Sequence, residues 1–76
     1  MEQAEQILHD YNFALVRVRV HGNVARIEAA SEAMMQMMQK EIREKIYHAF
    51  RDLGFDFVAL DLMGYRTGSM NIDMDE

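Results

Sequence analysis

The chain has 76 residues, a formal net charge of −5 and no cysteine. A chain of this length forms one small domain, and without cysteine it holds no disulfide framework, thiolate metal site or cysteine nucleophile. No run is long enough for a membrane helix, no signal peptide opens the sequence, and the acidic balance argues against general nucleic-acid binding. We therefore expect one cytoplasmic domain, residues 1–76, that partners with neither membranes nor nucleic acids.

The first predicted element is a short amphipathic helix over residues 2–11. Its apolar residues recur at helical spacing, and acidic residues near its start suit the helix N-terminus. Asn12 is expected to end it.

A β-hairpin follows. Strict alternation of apolar and polar residues over 16–20 predicts a strand with one buried and one polar face. Gly22-Asn23 then predicts a two-residue turn, because both residues tolerate positive φ. That turn fixes the register and places Arg19 opposite Arg26. The polar face carries five residues: Arg17, Arg19, His21, Arg26 and Glu28.

From 32 to 53 the apolar residues recur at three- and four-residue steps, which predicts a long helix. Ser31 is suited to cap its start, and Gly54 is suited to end it. A break near Gln39, giving a short and a long helix, fits the pattern as well. The predicted core stripe consists of Met35, Met38, Ile42, Ile46, Ala49, Phe50 and Leu53.

The run 55–62 is more uniformly apolar than the first strand and predicts a third strand, and the glycine-rich stretch 63–71 predicts a loop. The element order is therefore α-β-β-α-β. We expect an α+β fold with a three-stranded sheet, in which the two helices cover the valine face of the hairpin and the arginine face lies open.

Three arginines, Arg17, Arg19 and Arg26, share the polar face of the hairpin. A solvated outer face is the ordinary explanation for such a pattern. The alternative is a phosphate or carboxylate cradle, because guanidinium groups bind these anions bidentately. Arg19 and Arg26 repel each other across the strands unless an anion lies over them, and this conflict favours the anion site.

Glu28 closes the same face. It lies opposite Arg17 in the predicted register, so a salt bridge between the two is the simplest interpretation. Otherwise Glu28 would be a carboxylate ligand for a metal or a polar substrate group, with further ligands from elsewhere, because one oxygen does not make a metal site. The residues by themselves indicate no catalysis: we find no nucleophile with a paired base and no acidic dyad.

Two blocks of sequence, separated by the long predicted helix, resemble a known family. The first is His-Gly-Asn-Val-Ala-Arg-Ile-Glu at 21–28. The second is Leu-Asp-Leu-Met-Gly-Tyr-Arg-Thr-Gly-Ser-Met-Asn at 60–71, preceded by Leu-Gly-Phe at 53–55. Together they resemble the C-terminal part of the LarE-like family of PP-loop ATP-pyrophosphatases, which are ATP-dependent sacrificial sulfur transferases. The resemblance covers nearly the whole chain.

The resemblance implies an activity for a parent enzyme. Such enzymes adenylate a carboxylate of a pyridinium mononucleotide with ATP and magnesium, then pass sulfur to it on the route to the nickel-pincer cofactor of lactate racemase. By the resemblance, Arg17 and Arg19 would contact the substrate phosphate, and Arg66 would join them. Glu28 would lie by the metal and sulfur-donor site. Arg26 joins the predicted substrate-binding set through its place on the hairpin.

Two parts of the family pattern are missing from these 76 residues. One is the Ser-Gly-Gly-x-Asp-Ser loop that binds ATP, and the other is a cysteine to donate sulfur. We therefore expect the chain alone to be non-catalytic and without a cofactor, with ATP and Mg²⁺ belonging to the parent enzyme. The leading hypothesis is its C-terminal domain, which binds a phosphate-bearing small molecule against an N-terminal ATP-binding domain.

A stand-alone interaction or oligomerisation module is the alternative hypothesis. Met34 and Met37 fall off the predicted stripe of the long helix, which leaves them for contacts with another domain or subunit. In that case the chain forms a homo-oligomer and the arginines are incidental.

Overall fold

The computed structural model describes residues 2–65, which form an α+β fold. The elements are α1 (Glu2–Asp10), β1 (Val16–His21), β2 (Val24–Ala29), α2 (Ser31–Met37), α3 (Lys40–Asp52) and β3 (Phe57–Leu60). The strands lie in the order β1-β2-β3, with β2 antiparallel to β1 and parallel to β3. The predicted fold class is confirmed, and β3 is shorter than the predicted strand 55–62.

The hairpin has the predicted register, with Arg19 opposite Arg26 and Arg17 opposite Glu28. Gly22 has a φ of 61°, whereas Asn23 is not in the positive-φ region. A two-residue turn with positive φ at its first central position only is the type II′ pattern, which needs glycine there. The turn therefore depends on Gly22 and not on both residues.

Two helix ends lie at residues that the sequence singles out. α1 ends at Asp10, and Asn12 follows with a φ of 71°. α3 ends at Asp52, and Gly54 adopts a φ of 111° while its N–H donates to the carbonyl of Arg51 at 2.9 Å. Both residues tolerate the left-handed region, so each lets the chain turn away from its helix.

The long predicted helix is two helices, broken at Met38 and Gln39. Gln39 has an extended backbone, with φ −69° and ψ 139°, and α3 begins directly after it. Ser31 is the first residue of α2 and not its N-cap, a position that Ala30 occupies without a side-chain hydrogen bond.

This break reverses the predicted roles of the methionines. Met37 is buried and Met34 packs against the core, whereas Met35 is 74% exposed and Met38 58% exposed. The predicted stripe assumes that the helical spacing of α3 extends to the residues before Gln39. The extended backbone of Gln39 interrupts the helix, so the buried positions of α2 are not the ones that this spacing predicts. The prediction that Met34 and Met37 contact a separate partner is therefore wrong.

The core lies on one face of the sheet, called here the inner face. α1 packs on β1, α3 packs on β3, and the two helices contact each other. Leu8 and Phe50 are the largest fully buried side chains. Each large apolar side chain buried in this way contributes about 1.5–3 kcal/mol to folding. The cover ends before the turn, since Val20 is 46% exposed.

Within residues 2–65, no helix has both the length and the apolar character that crossing a bilayer requires.

Candidate anion-binding site

The sheet presents its polar side chains on the face opposite the helices, called here the outer face. Strand alternation and register arrange this face in three rows: His21, Val24 and Phe57; then Arg19, Arg26 and Ala59; then Arg17, Glu28 and Asp61. Asp61 directly follows β3, and alternation places it on the same face as Phe57 and Ala59. Neighbouring strands are roughly 4.8 Å apart and successive rows roughly 7 Å apart. The predicted hairpin arginines and Glu28 therefore do lie together.

Arg26 is at the centre of this arrangement. Its Nε donates a hydrogen bond to Nε2 of His21 at 3.3 Å, and its Nη1 donates to Oε2 of Glu28 at 2.9 Å. The same Nη1 donates a short hydrogen bond to Oδ2 of Asp61. Arg26 thus contacts a residue from β1, a residue from β2 and the residue that follows β3. These contacts fix the position of its guanidinium.

Glu28 lies between the two arginines that repel each other. Its Oε2 is 3.5 Å from Nε of Arg19 and 2.9 Å from Nη1 of Arg26. The protein's own carboxylate therefore offsets the repulsion between Arg19 and Arg26. The like-charge conflict does not by itself require a bound anion.

The salt bridge between Arg17 and Glu28, the simplest interpretation of the sequence, is not the one that forms. Nε of Arg17 lies 3.9 Å from Oε2 of Glu5 on α1. The same Glu5 oxygen accepts a hydrogen bond from the N–H of Val18 at 3.1 Å. β1 is an edge strand, so some of its N–H groups point away from β2, and the carboxylate of Glu5 accepts a hydrogen bond from one of them while it lies beside Arg17.

The arginines of the outer face and the carboxylates that they contact differ in exposure. The side chains of Arg17, Arg19 and Arg26 are 47%, 39% and 31% exposed, whereas those of Glu5, Glu28 and Asp61 are 24%, 4% and 15% exposed. The carboxylates are therefore less exposed than the guanidinium groups that they contact. Although the six formal charges cancel, the side of the cluster that meets solvent is cationic.

The guanidinium groups keep donors for a ligand. Within residues 2–65, Arg17 and Arg19 each make their ion pair through Nε, and the contacts of Arg26 use Nε and Nη1. The outer nitrogens of Arg17 and Arg19 and the Nη2 of Arg26 have no protein partner in this part of the chain. Paired N–H groups of this kind suit the oxygens of a phosphate.

Asp61 is the site residue that sequence reasoning missed. Its N–H donates to the carbonyl of Ile27 at 2.8 Å, and its Oδ1 accepts from the N–H of Met63 at 2.9 Å. Alternation along β3 puts Asp61 on the same face as Ala59. Its pairing with Arg26, however, depends on the register between β2 and β3, which no turn signal specifies.

The chain after Asp61 folds back against the end of β2. The N–H of Tyr65 donates to the carbonyl of Ala29 at 2.8 Å. Gly64 has a φ of 80°, and a Cβ there would lie 2.7 Å from the same carbonyl oxygen. Only glycine fits this close approach. Arg66, predicted to join the anion site, lies outside the described residues.

The part of the chain that the structure describes holds no group of three or more His, Cys, Asp or Glu residues placed to bind a metal ion. Glu28 is also engaged by two arginines. These residues therefore do not form a metal centre by themselves, and a role for Glu28 at a metal remains a prediction.

Comparison with known proteins identifies two relatives, while no protein-family model matches the chain. An uncharacterized protein of Synechocystis sp. is 38% identical over 69 residues, which is 91% of this chain and 26% of the relative. The pyridinium-3,5-bisthiocarboxylic acid mononucleotide synthase of Lactiplantibacillus plantarum is 37% identical over 68 residues, which is 90% of this chain and 24% of the relative. The chain thus spans about a quarter of the length of each, and it is similar to one part of a larger synthase.

Proposed function

We propose that the chain is the C-terminal domain of an ATP-utilising PP-loop sulfur transferase and that its outer face helps to bind the phosphate of the substrate. Similarity to a mononucleotide synthase over 90% of the chain supports the first part. The greater exposure of the guanidinium groups, compared with that of the carboxylates they contact, supports the second and carries the proposal.

In the proposed site, Arg17 and Arg19 donate their outer N–H groups to the phosphate oxygens, and Arg26 adds its Nη2. Glu28 and Asp61 hold the guanidinium of Arg26 in place. Preorganised donors lose little side-chain entropy when the anion binds, which favours binding of a small ligand.

The relative's name supports a phosphate-bearing substrate. A mononucleotide carries a phosphate, which is the kind of anion that a guanidinium cluster recognises. ATP and Mg²⁺ would be bound by an N-terminal ATP-binding domain of the parent enzyme, docked against the outer face. Glu28 would then approach the metal and sulfur-donor site from this side, and Arg66 would extend the anion site.

Titration calorimetry with ribose 5-phosphate tests the phosphate site directly. We expect weak binding by the chain, and about fivefold to tenfold weaker binding by Arg19→Gln, because charge-assisted hydrogen bonds to the phosphate are lost. Arg43→Gln is the matched control, since Arg43 is exposed on α3, away from the outer face. Equal affinities for the two variants would refute the site.

Self-association is the second candidate function, and the exposure of Met38 and Tyr47 favours it. Both residues border an apolar groove of about 450 Å³ between the helices and β3, which Arg43 and Glu44 also line. A two-fold axis would let the same groove of two copies pack together, because a two-fold interface uses the same patch on both subunits. Sedimentation equilibrium decides the matter: a monomer at all concentrations excludes this function, whereas a dimer dispersed by Met38→Glu supports it.

A further inference from the structure

The two edges of the sheet differ in how they meet their surroundings. On β1, the N–H of Val18 donates to a carboxylate oxygen of Glu5, and Arg17 adds a charge beside it. β3, the strand at the other edge, consists of Phe57–Leu60 and carries no charged side chain. Charged groups on an edge strand oppose its pairing with a further strand, whereas an apolar edge strand favours such pairing. The β3 edge is therefore the one suited to a partner strand.

The backbone of β3 supplies hydrogen-bonding groups for that partner. The N–H of Phe57 donates to the carbonyl of Asn23 at 3.3 Å, so this N–H points towards β2. Alternation along the strand turns the N–H and C=O groups of Val58 and Leu60 to the opposite side. In the part of the chain that the structure describes, β2 is the only strand beside β3. Val58 and Leu60 thus present donors and acceptors along the outer side of the edge.

The side chains of β3 make this edge complementary to a second copy of itself. Phe57 is 62% exposed, and Ala59, two residues along on the same face of the sheet, is small and exposed. Antiparallel pairing about a two-fold axis at Val58 sets Phe57 of each copy opposite Ala59 of the other. Directly opposite side chains of such a pair are in contact, so the large ring covers the small residue.

The charges beside β3 favour the same register. With the axis at Val58, Asp56 lies opposite Leu60 of the second copy, and no two carboxylates face each other although the chain is acidic. Moving the axis to Ala59 would set Phe57 opposite Asp61, an aromatic ring opposite a carboxylate. The register centred on Val58 also sets its outward N–H and C=O groups opposite those of the second Val58, as a hydrogen-bonded antiparallel pair requires.

We propose that two copies of the chain pair through their β3 edges, antiparallel and with the two-fold axis at Val58, into one six-stranded sheet. This inference rests on self-association, the second candidate function, and is independent of the phosphate site. Phe57 of the second copy then lies beside Ala59, in the same row as Arg19 and Arg26, so each copy contributes an aromatic side chain to the outer face of the other. A two-fold interface of this kind uses the same residues on both subunits.

Disulfide trapping tests the pairing and its register, because the chain has no cysteine of its own. Each variant carries one cysteine and is held in a glutathione redox buffer, and the cross-linked fraction is read on a non-reducing gel. We expect Val58→Cys to cross-link, since the two Val58 positions lie opposite each other across the axis. Ala59→Cys should cross-link about tenfold more slowly, because the two Ala59 positions are diagonal neighbours roughly 7–8 Å apart. Ala14→Cys, at an exposed alanine before β1, measures the rate of random collision.

Sedimentation equilibrium of the wild-type chain separates failure of this interface from failure of self-association. If the chain dimerises but Val58→Cys cross-links no faster than Ala14→Cys, the β3 edge is not the interface and another surface carries the dimer. Faster cross-linking of Ala59→Cys than of Val58→Cys would overturn the register. A monomer at all concentrations excludes self-association and the edge pairing together. Circular dichroism of each reduced variant establishes that the sheet is intact before the rates are compared.

Discussion

The two faces of the sheet are built on different physical principles. The inner face consists of apolar side chains such as Val18 and Ile27, which pack without directional bonds and are almost fully buried. The outer face carries charged groups at defined distances, and its arginines remain between 31% and 47% exposed. The inner face therefore supplies stability, because exposed ion pairs contribute little to it. The outer face instead holds the charged groups on which the proposed phosphate site depends.

The largest expected effect compares one phenylalanine from each face. Phe50 is fully buried against the inner face, and Phe57 is 62% exposed on the outer face. We expect Phe50→Ala to lower the free energy of unfolding by about 3–5 kcal/mol, because it leaves a cavity. Phe57→Ala should change it by about 0.5 kcal/mol or less. Urea denaturation followed by circular dichroism measures both, and similar losses for the two variants would contradict the division between the faces.

Two methionines of α2 allow the same comparison between a buried and an exposed side chain. Met37 is 5% exposed and Met35 is 74% exposed. We expect Met37→Ala to cost at least about 2 kcal/mol and Met35→Ala to be nearly neutral. Thermal unfolding of the two variants measures this difference. The reverse order would mean that one continuous helix, with the predicted stripe, describes the segment better.

Glu28 gives the next effect, because it is the buried charge of the outer face. Glu28→Gln keeps the shape of the side chain but removes the charge between Arg19 and Arg26, so we expect a loss of about 1–3 kcal/mol in the free energy of unfolding. Glu44→Gln on α3 is the control, since Glu44 is exposed, and it should change stability by about 0.5 kcal/mol or less. A neutral Glu28→Gln would show that the carboxylate does not hold the arginines.

The hairpin could be predicted residue by residue because its pairing is local. A two-residue turn at Gly22 leaves one register, and that register determines which side chains share the outer face. The register alone predicts that Arg17, Arg19 and Arg26 lie on the same face of the sheet. The same local logic identified Asn12 and Gly54 as the residues after two helix ends.

Non-local features could not be predicted in this way. Asp61 meets Arg26 across a parallel pair of strands whose register is set by packing of the intervening helices and not by a turn. Arg17 pairs with Glu5 because α1 lies along the edge of β1, a tertiary contact that the alternation pattern does not encode. The break at Gln39 likewise lies in a segment whose apolar spacing fits one helix or two.

The most direct test of the central claim is a phosphate titration of the isotopically labelled chain, followed by NMR at the arginine side chains. Binding at the outer face predicts that the Nε–H signals of Arg17, Arg19 and Arg26 shift together and saturate, while those of Arg43 and Arg51 on α3 do not move. Shifts confined to Arg43 and Arg51, or equal small drifts at all five, would contradict the claim that the outer face is an anion-binding site.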